Sequence, residues 1–207
     1  MIYHAGHIFF VARNAYERSI KDQSEAMPSI ILSTIALECF VNETIEQLSG
    51  NLPKLAGVDL STTISWLEFA ESKKSSTLEK IEAFHLALTG KKSDRGSQLN
   101  QDLAILYQLR NALVHRKAEP TGDWDPNDNE KTYEPHKFVR LLAQRGIVEI
   151  PPPNFPPLWS QFVLHHRTAK WSFNTAIAGA KSLASLMPKG VISEIVGAMA
   201  SHITEIK

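Results

Sequence analysis

Between Pro28 and Gly50 the chain places Ile30, Ile31, Ile35, Leu37, Phe40, Val41, Ile45 and Leu48 at helical spacings of three and four that together cover most of a helix circumference. A segment apolar on so many sides must be wrapped by other elements, so it predicts the central helix of a bundle. Convincing alternation with a period of two is hard to find elsewhere, so the fold class is all-α. Pro28 suits a helix first turn, and Gly50-Asn51 stops the helix.

The remaining periodic segments divide at turn signals. A first helix is expected at about 6–22, and a third after Ser61. A fourth begins at Ser76, whose spacing to Glu79 matches a capping box, and ends at Thr89-Gly90. Leu99, Leu103, Leu106, Leu109 and Leu113 form the stripe of a fifth helix. Residues 117–134, with Pro120, Gly122, Pro126 and several acids, read as an exposed loop. A short helix from Pro135 to Arg145 stops at Gly146. Prolines at 151, 152, 153, 156 and 157 then force an extended connector over 150–157, read as a rigid linker rather than a partner-binding tract. C-terminal helices are expected at 158–187 and 190–205, the last with an apolar face (Val191, Ile195, Met199, Ile203) that needs a partner. The whole chain, 1–207, is read as one helical domain whose motif-bearing core covers about 6–117.

Composition narrows the function classes. Lys plus Arg and Asp plus Glu are 22 each, so the formal net charge is zero and any nucleic-acid contact must be local. The single cysteine, Cys39, excludes an internal disulfide framework and fits a reducing cytoplasm as a structural thiol. No basic n-region or sufficient apolar h-region opens the chain, and no run approaches the roughly 18 uncharged apolar residues of a membrane span, so a soluble cytoplasmic protein without membrane contact is expected. Walker-type and dinucleotide glycine motifs are absent. His4 with His7, and His165 with His166, lack a third ligand at a recognised spacing, so neither pair is read as a metal site, and no metal or cofactor is expected. Trp66, Trp159 and Trp171 read as core or interface anchors, Trp124 as an anchor of its own loop, and Lys91, Lys92 and Arg95 as a solvated turn.

The chemically distinctive segment is Arg110-Asn111-Ala112-Leu113-Val114-His115, late in the fifth helix. At about 100° per residue, Arg110 falls inside the leucine stripe, with Val114 in the same broad sector. A guanidinium there costs several kcal/mol unless it meets a carboxylate, a phosphate or an interface. Asn111 and His115, four apart, share the adjoining face, whereas Arg110 and His115 lie about 140° apart on a straight helix. A fraying helix end or a second copy would let them converge. Glu38 and Asn42, four apart on the central helix, are the supporting candidates, and a buried Glu38–Arg110 pair is the expected way of holding the arginine. The plain alternative makes Arg110 a structural ion-pair residue and His115 a helix C-cap.

These residues resemble the signature of the HEPN superfamily, in which an arginine and a following polar residue precede a histidine by a few positions late in a bundle helix. The segment Ala36-Leu37-Glu38-Cys39-Phe40-Val41-Asn42-Glu43 resembles that family's acid-bearing helix, so the likeness covers about 28–117. It implies a compact bundle, here with additional C-terminal helices, that forms a homodimer through the motif helix. Many members act as metal-independent endoribonucleases in toxin-antitoxin, anti-phage or RNA-processing settings. On this resemblance the partner is RNA, attacked by its own 2′-hydroxyl to leave a 2′,3′-cyclic phosphate. His115 is the acid or base, Arg110 the anion stabiliser, Asn111 a positioning donor, and Arg116 and Lys117 draw in the backbone. An antitoxin protein is the further partner such a setting implies. Two alternatives stay open: a non-catalytic helical interaction module, which zero net charge favours, and a nucleotide-binding accessory subunit of a nucleotidyltransferase-like partner.

Overall fold

The computed structural model describes residues 4–50, 61–115, 134–152 and 158–207, apart from 188, 190 and 202. Its elements are α1 (His4–Ser19), α2 (Ala26–Gly50), α3 (Ser61–Ser72), α4 (Thr77–Thr89), α5 (Gln98–Val114), α6 (Lys137–Gln144), α7 (Trp159–Val163), α8 (His166–Ser185) and α9 (Val191–Ser201). Among the described residues there is no strand, and the all-α bundle stands. The expected loop at 117–134 lies outside the described residues except for Glu134, as do Arg116, Lys117, Trp124 and residues 153–157 of the proline connector.

The central role of the second helix is realised in α2, which packs against α1, α3, α4, α5, α8 and α9. Ile30, Leu37, Phe40, Val41, Ile45 and Leu48 are buried, whereas Ile31 and Ile35 are half-buried and Glu38, on the same side of the helix, is exposed. One strip of α2 therefore faces outward. By length and composition, Gln23–Ser49 is also apolar enough to cross a membrane, with a mean hydropathy of 1.4, which a count of uninterrupted uncharged residues misses. Here half of that window is buried inside the bundle.

Helix ends follow local chemistry where the cap is local. Ser76 and Glu79 form the reciprocal capping box, and Gly90 ends α4 in the left-handed region at φ 70°. Gly146 does the same after α6 at φ 69°. The start of α1 is capped from another helix, since the Glu43 carboxylate of α2 accepts from the His4 and Ala5 amides. Gly179 of α8 lets the backbone approach α2 and α5, for a Cβ there would lie 3.2 Å from methyls of both Leu37 and Leu103. On the α1 side, Phe9 meets Phe173 of α8 edge to face at 6.0 Å.

Two C-terminal boundaries need correction. The helix expected over 158–187 is broken at Leu164-His165, where His165 is extended and its Nδ1 accepts from the Arg167 amide at 3.3 Å. An imidazole thus performs the N-capping that Ser, Thr, Asp or Asn usually performs, and no periodicity reveals it. The helix expected over 190–205 ends at Ser201. Beyond it Ile203 and Ile206 are buried, and the Asn174 side chain donates to the Ile206 carbonyl and accepts from its amide, both at 2.9 Å. α9 packs against α8, with a smaller contact to α2, and Val196 and Ala200 are buried, whereas the Val191, Ile195 and Met199 side chains of the expected apolar face lie outside the described ones.

Candidate functional site at the end of α5

The C-terminal turn of α5 projects from the leucine stripe that anchors it. Leu103, Leu106, Leu109 and Leu113 are buried, so the helix is held firmly up to the motif. His115 is the C-cap, its amide donating to the Asn111 carbonyl at 2.9 Å. Asn111 and His115, which their four-residue spacing sets on one face beside the leucine stripe, are both exposed. Val114, expected within the apolar sector, is instead 44% exposed.

Arg110 is half-buried, and its Nη1 donates to Asn111 Oδ1 at 3.0 Å. The buried Glu38–Arg110 pair is not formed: Glu38 is exposed on the outward strip of α2, and no ion pair joins the two. Both charges act instead on Tyr107, one turn before Arg110. Burial pushes the Tyr107 phenol above its ordinary value, a hydrogen bond from Thr77 opposes this, and the charges of Glu38 and Arg110 raise and lower it respectively. The hydroxyl donates to the Thr34 carbonyl of α2 at 3.4 Å. Asn42 is also engaged elsewhere, since its Oδ1 accepts from the buried Lys80 ammonium of α4 at 2.9 Å. Tyr107, Thr77 and Lys80 were not singled out in the sequence, because a tyrosine or lysine at helical spacing carries no signal until α2 and α4 are brought against α5.

The end of α5 carries one guanidinium, one amide and one imidazole; Arg110 is held by the Asn111 amide and, among the described residues, forms no ion pair, and no contact joins it to the His115 ring. Compared with family models, curated proteins and solved structures, the chain matches none. The site is therefore read from its own geometry. Among the described residues, no three His, Cys, Asp or Glu side chains gather closely enough to hold a metal ion. His165 and His166 do approach, with ring centroids 4.0 Å apart, but His165 is occupied as the cap of α8.

Proposed function

We propose that the end of α5 is the RNA-cleaving site of a HEPN-like, metal-independent endoribonuclease acting as a homodimer. The observation that carries this reading is an Arg110 guanidinium turned onto Asn111 and, among the described residues, in no ion pair, with His115 exposed at the end of the same helix. Its positive charge remains free for a phosphate. In the reaction the 2′-oxygen bonds to the adjacent phosphorus as its proton passes to the His115 imidazole. The bond from phosphorus to the 5′-oxygen breaks, and the leaving oxygen takes a proton from the His115 of the second copy. The products are a 2′,3′-cyclic phosphate and a 5′-hydroxyl. Exposed Val114 gives the two α5 ends an apolar contact, and Asn111 positions Arg110. Arg116 and Lys117 extend the RNA contact. The setting that suits such an activity is cytoplasmic toxin-antitoxin or anti-phage defence, with an antitoxin protein as regulator.

The test is cleavage of mixed RNA in excess chelator. Arg110→Ala and His115→Ala should each lower the rate at least about a hundredfold, the scale of losing an anion stabiliser or a proton-transfer group, with unchanged thermal melting. Retention of cleavage by both variants overturns the assignment. A second reading, a non-catalytic interaction module, is favoured by Trp66 and Phe69 on α3, an edge-to-face pair 6.2 Å apart in which both rings are more than half exposed. It predicts no RNA cleavage by the wild-type chain.

A further inference from the structure

Toward the opposite end of α5 from the motif, an open cleft of about 660 Å³ lies between α5, α8, the turn after α6 and the C-terminal tail. That volume falls within the range of small-molecule sites, about 300–1,000 Å³. Its walls include Leu99, Ile147 and Trp171, and its charged groups are Asp102, Arg167, Lys170 and Glu205. Two acids and two bases balance formally, but their partners do not. Asp102 receives Arg145 Nε at 2.7 Å and Gln98 Nε2 at 2.8 Å. Glu205 receives Lys181 Nζ at 3.1 Å. Asn174 is spent on both backbone groups of Ile206. Among the described residues Arg167 and Lys170 form no ion pair, so the charge left facing the cleft is cationic.

Their position adds to this. Arg167 lies in the first turn of α8 and Lys170 one turn on, at the end where a helix carries partial positive charge and cations are disfavoured. Two unpaired cations at that end, beside an indole and two branched aliphatic walls, are matched by an anion with a flat apolar body. We infer that this cleft binds a small organic anion, a planar apolar or heteroaromatic group carrying a carboxylate or a phosphate, with Arg167 and Lys170 taking the anionic head and Leu99, Ile147 and Trp171 the body.

Calorimetric titration of the full chain with AMP and with 1-naphthoate, each beside its neutral counterpart adenosine or 1-naphthylmethanol, tests this. The phosphate and carboxylate arms distinguish the two kinds of head. At least one anion should bind saturably at one site, at least tenfold tighter than its neutral counterpart. The double variant Arg167→Gln/Lys170→Gln, which alters only solvent-reaching side chains, should weaken it at least tenfold, and Arg110→Ala should leave it unchanged. Absence of saturable binding by either anion, equal binding by the neutral counterparts, unchanged binding by the double variant, or loss in Arg110→Ala instead would each overturn the proposal. None of these outcomes depends on RNA cleavage.

Discussion

Cys39 shows how one side chain's surroundings decide its chemistry. It is half-buried, with its thiol 3.6 Å from a Glu43 oxygen, and burial followed by the charges of Glu43, Glu46 and Glu38 pushes its pKa from 9.0 up to about 11. Two units mean about a hundredfold less thiolate than an ordinary thiol at the same pH, and the thiolate is the nucleophile. Alkylation of the native chain by iodoacetamide at pH 8 should therefore run at least about tenfold slower than in denaturant; equal rates would contradict this account. The structural role expected from an apolar neighbourhood was readable in the sequence, but the three glutamates around the sulfur acquire their meaning only on a formed helix. The motif divides in the same way. Spacing alone put Asn111 and His115 on one face adjoining the leucine stripe, and their exposure came only with the fold. Arg110, placed by angle inside the apolar sector, is half-buried, because its burial depends on which neighbouring elements pack there and not on its angle around the axis alone.

Among the elements, the α7–α8 junction has a pH dependence of its own. As an N-cap, His165 must keep Nδ1 unprotonated, and burial, then His166 and Arg167, lower its pKa below 6.5. Between that lowered value and 6.5 the unfolded chain binds more protons than the folded one, so this contribution to stability is complete above 6.5 and is lost as pH falls through the window. His165→Asn retains a capping side chain that does not titrate there. Melting curves from pH 7.5 to 5 should show a shallower acid-side decline for the variant than for the wild type, and identical slopes would remove His165 as a cause. Helices with Ser, Gly or Pro at their ends were legible: α4 from Ser76 to Gly90, and the stop of α6 at Gly146. The break before α8 and the cap on α1 were not, since one uses an unusual capping residue and the other a carboxylate 39 residues away.

For the whole molecule, zero net charge places the burden of association on shape rather than on a general field. In the proposed homodimer Val114 is an apolar contact near the centre, so Val114→Glu would set two carboxylates against each other. Light scattering should show the variant as a monomer at micromolar concentrations where the wild type is a dimer, and a monomeric wild type would contradict the proposed assembly. The all-α architecture was legible because periodicity is a local property, whereas the cleft at Asp102, Arg167 and Glu205 was not, because it gathers groups from three distant parts of the chain. The order in which those parts are made has its own effect. α2 depends on α8 for much of its cover, but residues 51–165 must be synthesised in between, which takes on the order of ten seconds at about 5–20 residues per second. During that interval α2 has only α1 and, as they emerge, α3, α4 and α5 to cover it, so the face that α8 later buries stays open to water or to any holding partner until the C-terminal third of the chain is made.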